Sequence, residues 1–381
     1  MRAALVAALA LALATLPGAA AGAVPGRVTV ALFGDSTSEG YHLAHPQRDG
    51  LAARLAGELV ARGYERGATG LIPAMPQRFA FNAVNRFDAH SAPAGGWLAS
   101  GYGWGPGAAG PSGYSAYTIS PRATARTRVD GTQLQVLYEA APFAPPFTVA
   151  AGASSWTIDP AAQPAGPAST WLELPAGARS ITVHGPQRAG PLAFDGVVVH
   201  RPPARGRVQV EVQNLAHAGH GPGEDLNPKV VAELRAQAYD VSILFWAPLA
   251  EIFDPRPGPV QRSYVSSLLA RARLARESGS CLIVGAYPLP AQRHVVARVR
   301  AADRAVAAQA GCTYTSALTH LWRARTAVRR GWVILDGVHP TARGYRRIAH
   351  ALAPVLTRLV RMRGQTPESH LRMRGQTPHS Q

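Results

Sequence analysis

Arg27-Val-Thr-Val-Ala-Leu-Phe33 runs without a break into Gly34-Asp35-Ser36-Thr37-Ser38-Glu39-Gly40, and the reading of this stretch decides the fold. A short β-branched run that ends in a glycine is a buried strand. Beyond it, Gln47 to Gly63 (QRDGLAARLAGELVARG) sets leucines and alanines at helical spacing, with charges on the other face. Strand, tight turn and helix are the opening of an α/β unit. A hydroxyl directly after the first strand of such a unit stands at the carboxyl end of a parallel sheet, where open α/β folds place their sites. Gly34 and Gly40 let the backbone turn sharply there, and a helix start nearby supplies N–H groups for an oxyanion. A serine in that place is also an ordinary helix N-cap, so Ser36 alone establishes no chemistry.

The pattern changes from about Ala94. Segments Tyr114–Ser120, Thr132–Glu139, Phe147–Ala150, Ser155–Asp159, Thr170–Leu174, Ser180–His184 and Leu192–Arg201 are short, parted by Gly/Pro/Asn/Asp turns. Several of them alternate apolar and polar residues, the signature of a β-sandwich. From Val208 the α/β rhythm resumes. Strands are expected at Val208–Val212, Val241–Trp246 and Cys281–Tyr287; helices at Pro228–Ala238, Arg262–Glu277, Arg293–Gln309 and Ala342–Arg361. The expected organisation is an α/β domain in two parts, 24–95 and 206–360, with an all-β module at 96–205 inserted after its first βα unit.

A chain of 381 residues suits two domains, and 47% apolar residues exclude wholesale disorder. Only 16% are charged, against about 25% in a typical globular chain, which speaks against a coiled coil. The net charge is +17, yet only one of the 39 basic residues is a lysine, Lys229. Twelve of the arginines fall after Leu321. No zinc-finger spacing or RNP-like run accompanies them, so no specific nucleic-acid partner is expected. Two readings remain, loose attraction to an anionic cell wall or membrane surface and a plain solvated basic surface.

Met1-Arg2, an apolar run from Ala3 to Leu16 and the small residues around Ala19–Ala23 read as a secretory signal peptide over 1–23. No other stretch is apolar enough to cross a bilayer, so an exported, extracytoplasmic protein is expected. The segment Arg-Met-Arg-Gly-Gln-Thr-Pro occurs at 361–367 and again at 372–378, and 361–381 reads as a disordered basic tail. Cys281 and Cys312 are too few for a disulfide scaffold and wrongly spaced for a metal site. Each opens an apolar segment, and the helix between them makes those segments neighbouring parallel strands. A disulfide across the strand starts suits an exported protein, and two buried thiols are the alternative.

Asp336-Gly337-Val338-His339-Pro340 lies 300 residues beyond Ser36, between the apolar Trp332–Leu335 and the last helix. A carboxylate three residues from an imidazole can hold one ring nitrogen while the other faces a serine. Both motifs are expected at strand-to-helix junctions, where a shared site can form.

Gly-Asp-Ser after the first strand and Asp-x-x-His-Pro before the last helix together resemble the SGNH (GDSL-type) hydrolase superfamily, over about 26–95 and 206–360. The resemblance implies a flavodoxin-like three-layer α/β/α sandwich with no metal or organic cofactor, and ester hydrolysis or acyl transfer as the chemistry. It makes Ser36 the nucleophile, His339 the general base and acid, and Asp336 the orienting carboxylate. The family's second block assigns the oxyanion hole to the N–H groups of Ser36 and Gly219, with Gly221 as an alternative. The third block departs from the family: Ala247 stands for its glycine, and Leu249 (or Ala250) for the asparagine that donates to the oxyanion. Loss of such a donor costs about 10²–10³ in rate. His217 and His220 are substitute donors in the sequence, and each also reads as an ordinary solvent-facing loop residue.

The module resembles the jelly roll inserted in bacterial peptidoglycan O-acetylesterases of this superfamily, which implies an O-acetylated cell-wall glycan or related carbohydrate as substrate. Trp97, Trp104, Trp156 and Trp171 are candidate sugar platforms or core residues. An acyltransferase with the same triad, and a carbohydrate-binding protein with an impaired hydrolase core, are the competing expectations.

Overall fold

The computed structural model describes residues 26–43, 46–68, 70–74, 97–100, 105–107, 115–217, 219–223, 226–247, 260–290 and 293–364. The expected signal peptide, most of the expected tail, Trp104, Leu249 and Ala250 lie outside the described residues, as does the side chain of Trp97.

Strand β1 (Arg27–Gly34) is central in a parallel sheet. It pairs with β14 (Gln209–Asn214) on one side and with β15 (Val241–Phe245) on the other. The sheet continues from β15 through β16 (Ser280–Val284) to β17 (Thr313–Thr315), and β14 carries the two-residue β2 (Glu65–Arg66) at its far edge. Leaving β2 aside, the chain order across the sheet is 2-1-3-4-5, and the order reverses at β1. That reversal opens a crevice beyond the carboxyl end of β1, the place where doubly wound sheets bind ligands.

Side chains alternate across this sheet because successive Cβ atoms point to opposite faces. Val28, Val30, Leu32, Ile243, Phe245 and Leu282 pack with helices α3 (Leu51–Val60) and α8 (Ala342–Gly364). Ala31, Phe33, Leu244 and Ile283 face the other way, onto α4 (Pro228–Gln237) and α5 (Arg262–Ser278). Helix α6 (Arg293–Ala310) leads to β17. Both faces are covered, so the central strands β15 and β16 read as near-continuous apolar runs. The expected single helix from Gln47 is broken into α2 (Pro46–Asp49) and α3, with Gly50 as the N-cap residue of α3. Among the described residues there are two further single-turn helices, α1 (Ser36–Glu39) and α7 (Ala324–Ala327). The closing helix continues to Gly364, past the expected Arg361, and Arg361 and Arg363 in its last turn complement the helix dipole.

Between the first helices and β14 the strands form two antiparallel sheets. One has the order β10-β9-β12-β7-β4, from Ser154–Ile158, Phe147–Ala151, Ser180–Pro186, Thr124–Arg128 and Trp97–Ser100. The other is β11-β8-β13-β6-β5, from Gly166–Glu173, Gln133–Ala140, Leu192–His200, Ser115–Thr118 and Gly105–Gly107. Strand β3 (Gly70–Pro73) also joins β13. Leu134, Val136, Tyr138, Phe147, Val149, Val183 and Phe194 fill a core between the sheets. From the second sheet, Leu137 and Val198 point outward into the apolar cluster of the α4/α5 side. The antiparallel sheets are therefore docked on the α/β layer by apolar contact. Burial of such side chains stabilises by about 1.5–3 kcal/mol each.

Cys281 on β16 and Cys312, one residue before β17, are joined in a disulfide, with Cα atoms 5.0 Å apart. Among the described residues no helix is long and apolar enough to cross a membrane.

Candidate active site

Asp35 and Ser36 follow β1 directly. Asp35 caps the turn of α1: its Oδ1 accepts from the Thr37 N–H at 2.8 Å and from the Thr37 hydroxyl at 2.6 Å. Its Oδ2 accepts from the Ala247 N–H at 2.9 Å. Burial nevertheless pushes the Asp35 carboxyl up to about 6, against these bonds. Gly34 is required here because a Cβ would lie 1.9 Å from Ser38 Oγ and 2.1 Å from the Phe245 carbonyl. The close approach of β1, α1 and β15 thus fixes where Ser36 stands.

Asp336 and His339 lie on a loop, not at the end of a strand. The apolar Trp332–Leu335 forms only an isolated bridge, Val333 with Pro340, and this corrects the expected strand-to-helix junction. The segment joins none of the described sheets and closes on itself. Ile334 N–H donates to the His339 carbonyl at 2.9 Å and Gly337 N–H to the Ile334 carbonyl at 3.0 Å. Gly337 has φ 73°, which favours glycine. The buried Tyr287 hydroxyl donates to the Val338 carbonyl at 2.7 Å and ties the loop to the segment that follows β16.

This loop brings its side chains to Ser36. His339 Nε2 lies 2.8 Å from Ser36 Oγ, and His339 Nδ1 lies 2.5 Å from Asp336 Oδ2. An ionised carboxylate only accepts, so the ring proton belongs on Nδ1, and Nε2 is left to accept from the serine hydroxyl. Asp336 Oδ1 also accepts from the N–H groups of Val338 at 2.7 Å and His339 at 3.0 Å. Partial burial alone would raise the Asp336 carboxyl, but the His339 ring and these two N–H groups outweigh it and hold the group below its usual range. Ser36 is 8% exposed, and the His339 side chain is 14% exposed. Chemically, this arrangement can withdraw a proton from a hydroxyl that is held at the mouth of the crevice.

Strand β14 ends in a segment tied to the same turn. His217 N–H donates to the Gly34 carbonyl at 2.8 Å, and His220 N–H closes a turn on the His217 carbonyl at 3.2 Å. Gly219, third in that turn, has φ 82°, which favours glycine, whereas nothing stands within 4 Å of a Cβ built on Gly221. His217 is fully buried and stacks on His220, with ring centroids 4.6 Å apart. The solvent-facing reading of His217 is therefore corrected: the bond to Gly34 draws it beneath the turn. The Ala247 N–H is engaged with Asp35, and Leu249 falls outside the described residues.

Two residues went unread in the sequence. The rings of Tyr41 and His42 lie 5.3 Å and 5.1 Å from the His339 ring. Their only sequence signal is that they follow Gly40 directly, at the end of the first motif. His42, Asp336 and His339 present ligand atoms within 4.8 Å of one another, but both His339 nitrogens already have partners in the Ser36–Asp336 run. The tryptophans stand elsewhere. Trp156 packs on the sandwich core, and the half-exposed Trp171 stacks on the buried His200.

No family model and no curated protein matches the sequence. Among solved structures, a peptidoglycan O-acetylesterase is similar at TM-score 0.63 and 19% identity, over 88% of this chain and 92% of that chain. A family two carbohydrate esterase from Cellvibrio japonicus has 12% identity and TM-score 0.33, over 69% and 95% of the two chains. A member of the lipolytic G-D-S-L family from Veillonella parvula DSM 2008 has 21% identity and TM-score 0.30, over 39% and 82%. Scores that low carry no argument; the likeness that does is to the peptidoglycan O-acetylesterase. The chain shares the fold of that peptidoglycan O-acetylesterase.

Proposed function

We propose that the protein is an exported serine esterase that removes O-acetyl groups from a cell-wall glycan or related carbohydrate. The observation that carries this reading is the hydrogen-bonded run from Ser36 through His339 to Asp336 at the carboxyl end of β1. Ser36 Oγ attacks the ester carbonyl as His339 Nε2 takes its proton. The imidazolium, held by Asp336, then protonates the sugar oxygen as its bond to the acetyl carbon breaks, so that the sugar leaves as a free hydroxyl and the acetyl group stays on Ser36. A water activated by the same ring hydrolyses the acyl-enzyme. The tetrahedral oxyanion is assigned to the N–H groups of Ser36 and Gly219. Ser36 N–H, in the first turn of α1, has no intrahelical acceptor.

The acetyl-glycan assignment is supported by the likeness to a peptidoglycan O-acetylesterase across both sheet systems. Export is supported by the apolar run at Ala3–Leu16 and by the Cys281–Cys312 disulfide, a bond that persists in oxidising compartments. The test is release of p-nitrophenol from p-nitrophenyl acetate, followed by acetate release from O-acetylated peptidoglycan and acetylated xylan. Turnover on an acetylated glycan that Ser36→Ala abolishes is the expected result. Equal rates for the two proteins on all three substrates would overturn the esterase reading.

A further inference from the structure

Away from the catalytic crevice, three carboxylates meet where the antiparallel sheet lies against the α/β layer. Glu139 ends β8, Asp195 is on β13 and Glu233 is on α4, and each offers an oxygen within 4.8 Å of the others. Asp195 sits at a β-bulge: the β13–β8 register shifts between Phe194 and Gly196. Bulges re-aim a side chain. Here the bulge coincides with a carboxylate on a strand whose other residues, except His200 at its end, are apolar.

The surroundings of these groups point to something that binds them. Asp195 is 0% exposed and Glu233 is 4% exposed. Both oxygens of each, and Oε1 of Glu139, are buried without a hydrogen-bond donor from the rest of the protein. Among the described residues the cation paired with this cluster is Lys229, the single lysine of the chain, whose Nζ lies 3.1 Å from Glu139 Oε2. Its side chain is 59% exposed, so it screens only the rim of the cluster. With all three carboxylates ionised, one ammonium would leave two negative charges uncompensated in a buried seam. Buried charges in proteins are paired or bind metal.

We propose that Glu139, Asp195 and Glu233 form a site for a divalent, oxygen-preferring cation of about calcium's size, which bolts the antiparallel sheet to α4. Oxygens bonded to calcium lie at about 2.3–2.6 Å, so the observed spread matches the diameter of its coordination shell. Helix α4 begins shortly after the Gly219 turn, so the ion would also steady the approach to the crevice.

Without a cation the cluster keeps a proton. Burial pushes Asp195 up to about 8, and burial with the neighbouring Asp195 pushes Glu233 well above its ordinary value. The other groups in range are Glu139, Lys229 and the buried Tyr239, itself raised by burial and by Glu233. The cation must displace the proton, so affinity rises with pH.

The test uses the full chain, stripped with EDTA and dialysed metal-free. CaCl2, MgCl2 and MnCl2 are titrated by calorimetry and thermal unfolding at pH 5.5 and pH 8. One ion per chain is expected, with proton release, a Tm rise on the order of 5 °C at a hundredfold excess over Kd, and weaker binding at pH 5.5. Asp195→Asn and Glu233→Gln should each weaken binding at least about tenfold while circular dichroism stays unchanged. Should either misfold, Glu139→Gln at the rim takes its place. No saturable binding of any of the three ions at pH 8, or binding that these variants leave untouched, overturns the proposal and identifies a carboxyl pair that shares a proton.

Discussion

Asp336 and Asp195 are both aspartates at least partly withdrawn from water, and their surroundings drive them to opposite charge states. Asp336 lies on a self-closed loop that aims two backbone N–H groups and an imidazole at it, and it stays ionised. Asp195 lies on a strand whose N–H groups serve the sheet, faces another carboxylate and is pushed up to about 8. Burial is the largest influence on Asp195, and the supply of donors adds to the difference. Asp336 is only partly buried and well supplied, whereas Asp35, fully buried, is pushed up to about 6 even with three donors. A loop can turn several N–H groups on one carboxylate, whereas a ladder commits them to neighbouring strands. The donor-rich carboxylate can steady a developing imidazolium. The donor-poor one can only hold a proton or a cation.

The sharpest break in this comparison comes at the donor-rich pole. Ser36→Ala and His339→Ala should each lower kcat by about 10⁶ in ester hydrolysis, and the double variant should fall no further, because the groups act as a unit. A double variant much slower than either single one would argue against a shared relay. Asp336→Asn should cost about 10⁴ in kcat, since an amide at that place favours the wrong ring tautomer. Stopped-flow acylation at several pH values reads this directly, and a loss under tenfold would remove Asp336 from the relay. Gly219→Ala strains a φ of 82° and disturbs the assigned oxyanion donor, so kcat should fall by about 10²–10³ with KM little changed. A change in KM alone would place Gly219 outside the oxyanion hole.

Smaller effects are expected at the donor-poor pole, and on stability. Asp195 has a raised folded-state value, so in metal-free protein its contribution is fully present below about pH 4 and is lost as pH rises through about 8. Asp195→Asn should therefore flatten the fall in stability between pH 5 and pH 9, by about 1 kcal/mol at the alkaline end, as read from urea midpoints. An unchanged slope would mean that the group does not titrate in this range.

The first strand and its glycine turn were legible because a β-branched run closed by Gly-Asp-Ser leaves few other arrangements. Helices α4, α5 and α6 were legible by period, their observed ends falling within about a residue of those expected. Strand β7 escaped notice: Thr124–Arg128 has no large apolar residue and buries only Ala125 and Thr127 well. Its pairing with β12 and β4 supplies the stabilisation that its side chains lack. Tyr41 and His42 escaped because two aromatic residues after a turn have no period to read.

By itself, the sequence determined the α/β rhythm, the place of Ser36 after β1 and the pairing of an acid with an imidazole in Asp336-x-x-His339. Each of these depends on local chemistry, on side-chain period or on spacing within one turn. Tertiary structure alone decided that His339 meets Ser36 across 303 residues, that His217 is buried under the turn, and that Glu139, Asp195 and Glu233 share one seam. Those depend on how sheets dock, and docking is set by apolar surfaces that are summed over many residues rather than by any one stretch of chain.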